Sequence, residues 1–163
     1  MLIRQARAED LPAMSKLAGQ LVRLHYRTDP ARFMRIPNVE EGYGWWFAMQ
    51  LANRKAVLRV AEEKGRIVGY AYGSMEGRDW NMLLDTHGAI HDVCVARTRR
   101  RRGVGRALTL AMIEALAAKG AERILLSTMV QNRPAQRLFT SLGFRSTMLE
   151  MTLNPKRARS GGG

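Results

Sequence analysis

The chain is short of cysteine, of acids and of long apolar runs, and each shortage narrows what it can be. Cys94 is the single cysteine among 163 residues. No internal disulfide can form, and a reducing, cytoplasmic setting is the expectation. No run of about 18 apolar residues occurs, so no helix is expected to span a membrane. The opening MLIRQARAED lacks the apolar core of a secretory leader. Acids number 14 against 27 lysines and arginines, a formal charge of +13. That excess raises nucleic-acid binding, but it is unevenly spread. Arg97, Arg99, Arg100, Arg101, Arg102 and Arg106, with Lys156, Arg157 and Arg159 in the tail, supply most of it with no acid among them. A charge focused on one loop and a tail suits a polyphosphate ligand better than a broad nucleic-acid face.

What is present is ordinary for a folded domain. Hydrophobic residues make up 46% and charged ones 25%, which removes disorder as the default reading. The length suits one domain with its own core. Periodicity predicts a strand over 2–6, then a helix opened by Glu9 and Asp10 with Leu11, Met14, Leu17, Leu21 and Leu24 at helical spacing. A second, aromatic-rich helix follows over 39–51, weakened by Gly42 and Gly44. Strands are predicted over 56–62 and 66–75, joined by Lys64-Gly65, and again over 87–95. An amphipathic helix over 104–119, a strand over 123–129, a helix over 134–142 and a last strand over 144–153 complete the order β-α-α-β-β-β-α-β-α-β. The expectation is one α/β (mixed α+β) domain over 1–153, with 154–163 a disordered basic, glycine-rich tail.

Two stretches carry chemistry. In the first, an apolar run ends at Val95, arginines crowd positions 97–102, and Gly103 and Gly105 lead into a helix. Unpaired N–H groups and the peptide dipoles at a helix N-terminus favour an anion. No Gly-Lys-Ser/Thr follows, so this is not a P-loop. Leu108 replaces the third glycine of a dinucleotide fingerprint, and no acid ends the next strand. The second stretch runs from Asn132 through Ala135, Leu138 and Phe139 to Gly143 and Phe144. Pro134 suits the first helical position and Asn132 an N-cap.

Together, Arg100-x-x-Gly103-x-Gly105 and Asn132-x-x-Ala135-x-x-Leu138-Phe139-x-x-x-Gly143-Phe144 resemble the two signatures of the GNAT family of acetyl-coenzyme A-dependent N-acetyltransferases. The resemblance implies a central mixed sheet of six to seven strands flanked by about four helices. It implies acetyl-CoA as co-substrate, with no metal. The pyrophosphate would lie on Arg100, Arg101, Arg102, Gly103, Val104, Gly105 and Arg106. The main chain of Val93, Cys94 and Val95 would meet the pantetheine and the thioester carbonyl. Asn132, Ala135 and Phe139 complete the implied cofactor positions. The family commonly carries a tyrosine acid where this chain has Phe139, so no proton donor is expected there. Tyr70 and Tyr72 are the phenols nearby in sequence pattern.

Making an amide from a thioester requires a neutral amine, hence a base. His91 matches the position where family members carry a glutamate or histidine base, and an ordinary histidine titrates near pH 6.5. Asp92 is the second candidate. Strict alternation places His87, Ala89, His91 and Val93 on one face and Asp92 on the other. Cys94, flanked by apolar residues, reads as a small core residue rather than an acyl carrier. Tyr26, Phe33, Trp46, Asp79, Trp80 and Asp85 are candidates for the acceptor pocket, where acids attract and aromatics stack on a cation. The same aromatics serve equally as core. The expected reaction is direct transfer of acetyl to a primary amine of a small molecule or peptide in a ternary complex. No nucleic-acid or membrane partner is expected, and a homodimer is left open. The alternatives are a non-catalytic acyl-CoA sensor and a basic nucleic-acid-binding module.

Overall fold

The computed structural model describes residues 1–155; of the expected tail, 156–163 lie outside the described residues. The chain forms β1 (Leu2–Gln5), α1 (Leu11–Thr28), α2 (Val39–Ala52), β2 (Ala56–Glu63), β3 (Arg66–Glu76), β4 (His87–Val95), α3 (Val104–Ala118), β5 (Ile124–Leu126) and α4 (Arg133–Ser141). Short 3₁₀ turns at Ala8–Asp10 and Arg97–Arg99 precede α1 and α3. The five strands lie side by side in sequence order. Each neighbouring pair from β1 to β4 is antiparallel, and β5 runs parallel to β4.

Alternation along the strands feeds two cores. Leu58, Val60, Tyr70, Tyr72 and Cys94 meet α1 and α2 through Met14, Leu17, Ala18 and Phe47. On the other face, Val57, Ala61, Val68, Ala71 and Ile90 meet Val104, Leu108, Met112 and Leu116 of α3, spaced at one helical face. The start of the chain is fixed by charge. Buried Asp10 accepts bonds from Arg4 at 2.7 and 2.8 Å and from the Arg7 amide at 2.8 Å. Arg4 also reaches Glu62 of β2 at 2.8 Å, so one guanidinium ties β1, the turn before α1, and β2.

Two irregularities of β4 position the site. Tyr72 pairs with Asp92 but Gly73 with Ile90, so His91 is the extra residue of a β-bulge. A Cβ at Gly73 would lie 2.4 Å from the Ala89 carbonyl oxygen and 2.7 Å from Met112, so glycine permits this close approach. The bulge corrects the face expected from strict alternation. Ile90 takes the α3 face, while His91 stacks on Tyr72 and joins Asp92 on the α1/α2 face.

The second irregularity is an open edge. β5 pairs only with Gly88, Ala89 and Ile90. Among the described residues, 91–95 have no partner strand on that side. The Ala96 amide donates to the Val68 carbonyl on β3 at 2.8 Å. By alternation, Cys94 also turns its main chain toward β3, while Val93 and Val95 turn theirs to the open side.

The sheet has five strands, not the six to seven expected, and the order ends at α4. The last predicted strand does not form within the described residues. A strand requires a partner edge, and β5 ends after three residues. Phe144 folds back on Phe139 instead, with ring centroids 6.0 Å apart. Residues 145–153 run along the surface with Met148, Leu149, Met151 and Leu153 exposed. An ion pair from Arg32 to Glu150 tethers them.

Candidate active site

The loop between β4 and α3 combines left-handed backbone with arginines. Arg101 and Gly103 both adopt left-handed conformations, with φ of 59° and 80°. The first helical bond runs from the Ala107 amide to the Gly103 carbonyl at 3.0 Å. The amides of Val104, Gly105 and Arg106 therefore have no partner within the helix. A Cβ at Gly105 would meet only Leu138 at 3.4 Å and Val95 at 3.8 Å, both ordinary contacts. Packing does not require glycine there; its absent side chain leaves open the gap between the end of β4 and α4.

The arginines divide by role. Arg99 pairs with Glu63 at 2.9 Å, Arg100 donates to the Val95 carbonyl at 3.1 Å, and Arg106 donates to Ser141 at 3.3 Å. These contacts brace the loop against β2, β4 and α4. Arg101 and Arg102 stay exposed at its tip. At the start of α4, the Asn132 side chain accepts from the Ala135 amide at 3.3 Å, as an N-cap does. Phe139 is half-buried and carries no hydroxyl, and its ring meets that of Phe144.

His91 stands at the bulge, with 42% of its side chain exposed. Its ring stacks on Tyr72, centroids 5.1 Å apart at 24°, and Trp46 packs edge-on behind Tyr72 at 4.6 Å. His91 Nε2 lies 2.8 Å from Ser74 Oγ and 3.2 Å from Glu76 Oε1, while the Ser74 hydroxyl donates to the same Glu76 oxygen at 2.5 Å. The Ser74 hydroxyl, and then the His91 ring, hold the Glu76 carboxyl below its ordinary value. Neither Ser74 nor Glu76 stands among the candidates that the sequence pattern marks. A signal was present: Gly73 inside a strand pattern marks a bulge or close approach. On β3, Tyr70, Tyr72, Ser74 and Glu76 share the face that the bulge turns His91 toward.

Asp92 faces inward, accepting the Tyr70 hydroxyl at 3.0 Å. Burial raises its carboxyl above the ordinary range, against the opposing pull of that hydrogen bond. Burial, and then the nearby Asp92, push Tyr70 well up and Tyr43 up to about 12. Cys94 is buried, with its thiol directed at the Leu17 carbonyl at 3.5 Å. Burial pushes that thiol up to about 12, so it is neither an available nor an activated nucleophile.

The acceptor candidates separate in space. Asp79 and Trp80 line an open cavity of about 650 Å³ with Glu76, Arg78 and His87, beside the His91 network. The carboxylates of Asp79 and Asp85 are already engaged. Asp79 accepts the amides of Asn81 and Met82 at 2.8 and 3.0 Å, and Asp85 pairs with Arg78 at 3.1 Å. Both acids shape the loop over 77–86. Trp80 is 75% exposed, with the Arg78 guanidinium over its ring at 5.3 Å. Phe33 packs instead on His25 at 4.8 Å, and Tyr26 is half-buried on α1. Trp46 reaches the site through its contact with Tyr72.

An open strand edge leads into a left-handed loop and a bare helix N-terminus, a geometry that suits an extended ligand with an anionic end. Residues 20–144 match the Acetyltransferase (GNAT) family. An N-alpha-acetyltransferase of Sulfurisphaera tokodaii is 32% identical over 126 residues, spanning 72% of this chain and 75% of that one. The crystal structure of a tetramutant of the BH1408 protein from Bacillus halodurans superposes with a TM-score of 0.81 at 25% identity, covering 94% of this chain and 99% of that one. A predicted acetyltransferase of Clostridium acetobutylicum, solved with acetyl-CoA, shares the fold with a TM-score of 0.72 at 17% identity, over 96% and 97% of the two chains. The chain belongs to the GNAT acetyltransferase family. It is an acetyltransferase.

Proposed function

We propose that the protein transfers an acetyl group from acetyl-CoA to a primary amine by direct attack, with His91 as the base. The observation that carries this reading is the unpaired edge of β4 leading, through the 96–103 loop, to the bare amides of α3. The residues present suit the co-substrate. Val93 and Val95 turn main-chain groups to the open edge, the Val104, Gly105 and Arg106 amides face a phosphate, and Arg101 and Arg102 add charge beside them. The Asn132 amide, its oxygen already used as a cap, retains N–H donors for a pantetheine carbonyl. Ala135 and Phe139 give the opposite wall an apolar surface, and Phe139 offers no proton. Acetyl-CoA supplies an activated acetyl thioester whose leaving thiol has an ordinary pKa near 8.5, so departure as thiolate needs no acid at position 139.

His91 lies at the mouth of this edge and is exposed, so it takes the proton of the incoming ammonium and leaves its electron pair free to attack. Asp92 is the other candidate, since burial makes its carboxyl hold a proton more readily than an ordinary aspartate. Its inward orientation toward Tyr70 favours His91. The decisive experiment measures free thiol released from acetyl-CoA with a panel of primary amines for wild type, His91→Ala and Asp92→Asn. Turnover with at least one amine, intersecting double-reciprocal lines, and a loss of about a hundredfold in His91→Ala support the proposal. Loss in Asp92→Asn alone would transfer the role to Asp92. Binding of acetyl-CoA with no thiol release for any amine would make the protein an acyl-CoA sensor.

A further inference from the structure

We infer that Ser74 and Glu76 lock the His91 ring in the tautomer protonated on Nε2, so that Nδ1 is the nitrogen offered to the acceptor; this rests on the proposal that His91 is the base. The available protons fix this arrangement. Ser74 Oγ lies 2.5 Å from Glu76 Oε1 and 2.8 Å from His91 Nε2, and Nε2 is 3.2 Å from the same Glu76 oxygen. A hydroxyl has one hydrogen and an ionised carboxylate has none. Glu76 can only accept, so the Ser74 hydrogen goes to Glu76. Ser74 Oγ is then the acceptor toward the ring, and the hydrogen between them must sit on Nε2. The 3.2 Å contact is the second branch of the same N–H. Ser74 is itself buried, at 5% exposure, so water does not readily take its place beside Nε2.

The surroundings hold the ring in that arrangement. Tyr72 stacks on one face of the imidazole, and Trp46 backs Tyr72. Among the described residues, no hydrogen bond engages Nδ1. When Nδ1 takes the ammonium proton, one N–H bond of the acceptor breaks, its electron pair stays on nitrogen, and the imidazolium that forms keeps its Nε2–H on Ser74 and Glu76. The charge that appears on the ring therefore faces a carboxylate already in place. Ser74 and Glu76 are positioning residues: neither needs to touch the acceptor.

The test is the ring tautomer of His91, read from two-bond ¹H–¹⁵N correlations of ¹⁵N-histidine-labelled protein at about pH 8, above the ordinary histidine range. The His91 signals are identified by their absence in His91→Gln. Wild type is expected to show Nε2–H. In Glu76→Gln the Ser74 hydrogen is no longer committed to a carboxylate, so the population moves toward Nδ1–H. In that variant kcat falls about ten- to a hundredfold while KM for acetyl-CoA is unchanged, and Glu76→Asp restores the Nε2–H form. A wild-type ring protonated on Nδ1 overturns the inference without any variant. So does Glu76→Gln with unaltered tautomer and kcat. Full turnover in His91→Gln would instead overturn the assignment of His91 as base, an outcome the tautomer measurement does not depend on.

Discussion

Three side chains on β4 illustrate how burial sorts chemistry at the scale of single residues. His91 is lifted out by the bulge, Asp92 is turned under the sheet, and Cys94 is sealed behind α1. With its thiol pushed up to about 12, Cys94 should resist iodoacetamide at pH 8 in the native protein and react fully in denaturant. No acetyl-enzyme should accumulate by mass spectrometry. Asp92 gives a pH signature of stability. Its folded-state pKa is raised, so the folded protein binds the proton more tightly than the unfolded chain. Stability is therefore lost as pH rises from the ordinary carboxylate range near 4 through the raised value. Asp92→Asn should then be more stable than wild type at pH 7, with the difference shrinking toward pH 4 in parallel thermal melts. Asp10 behaves oppositely. Its hydrogen bonds from Arg4 hold its carboxyl low, so its contribution is complete above the ordinary range and lost as pH falls through the depressed value. Asp10→Ala should cost about 2–3 kcal/mol at pH 7 in urea unfolding and less in acid.

The elements were largely legible because their patterns are local. The helices of α1 and α3 announce themselves by apolar spacing and by the glycines and acids at their ends. The hairpin of β2 and β3 is marked by Lys64-Gly65, with both residues at positive φ. The loop from Val95 to Gly105 was legible for the same reason, since glycine and arginine there answer a local demand for left-handed backbone and charge. What escaped depends on neighbours distant in sequence. The bulge at His91 arises from pairing between β3 and β4, and it changed the face on which the candidate base lies. Ser74 and Glu76 became visible as partners of His91 only once that pairing was known. Residues 144–153 have the composition of a strand but no edge to join, because β5 is only three residues long. At the loop, Gly105→Ala separates folding from binding. The added methyl meets only ordinary contacts and favours the helix, so the melting temperature should hold or rise slightly, while affinity for acetyl-CoA drops.

Across the whole molecule, the sheet divides two kinds of work. The α1/α2 face carries the polar row of β3 and the candidate base, while α3 on the other side aims its N-terminus at the open edge of β4. Six arginines over 97–106 concentrate positive charge where that edge ends, so the proposed acetyl-CoA binding should be electrostatic as well as shaped. Raising salt from 50 to 500 mM should weaken it several-fold in wild type and less in Arg101→Ala/Arg102→Ala. The central claim is that the open edge of β4 and the start of α3 form an acetyl-CoA site, and calorimetric titration of acetyl-CoA into wild type and Gly105→Ala tests it most directly. One-to-one binding by wild type, at least tenfold weaker in Gly105→Ala with its fold intact, is the predicted result. No heat of binding by wild type at hundreds of micromolar ligand, or equal affinity in the two proteins, would contradict it.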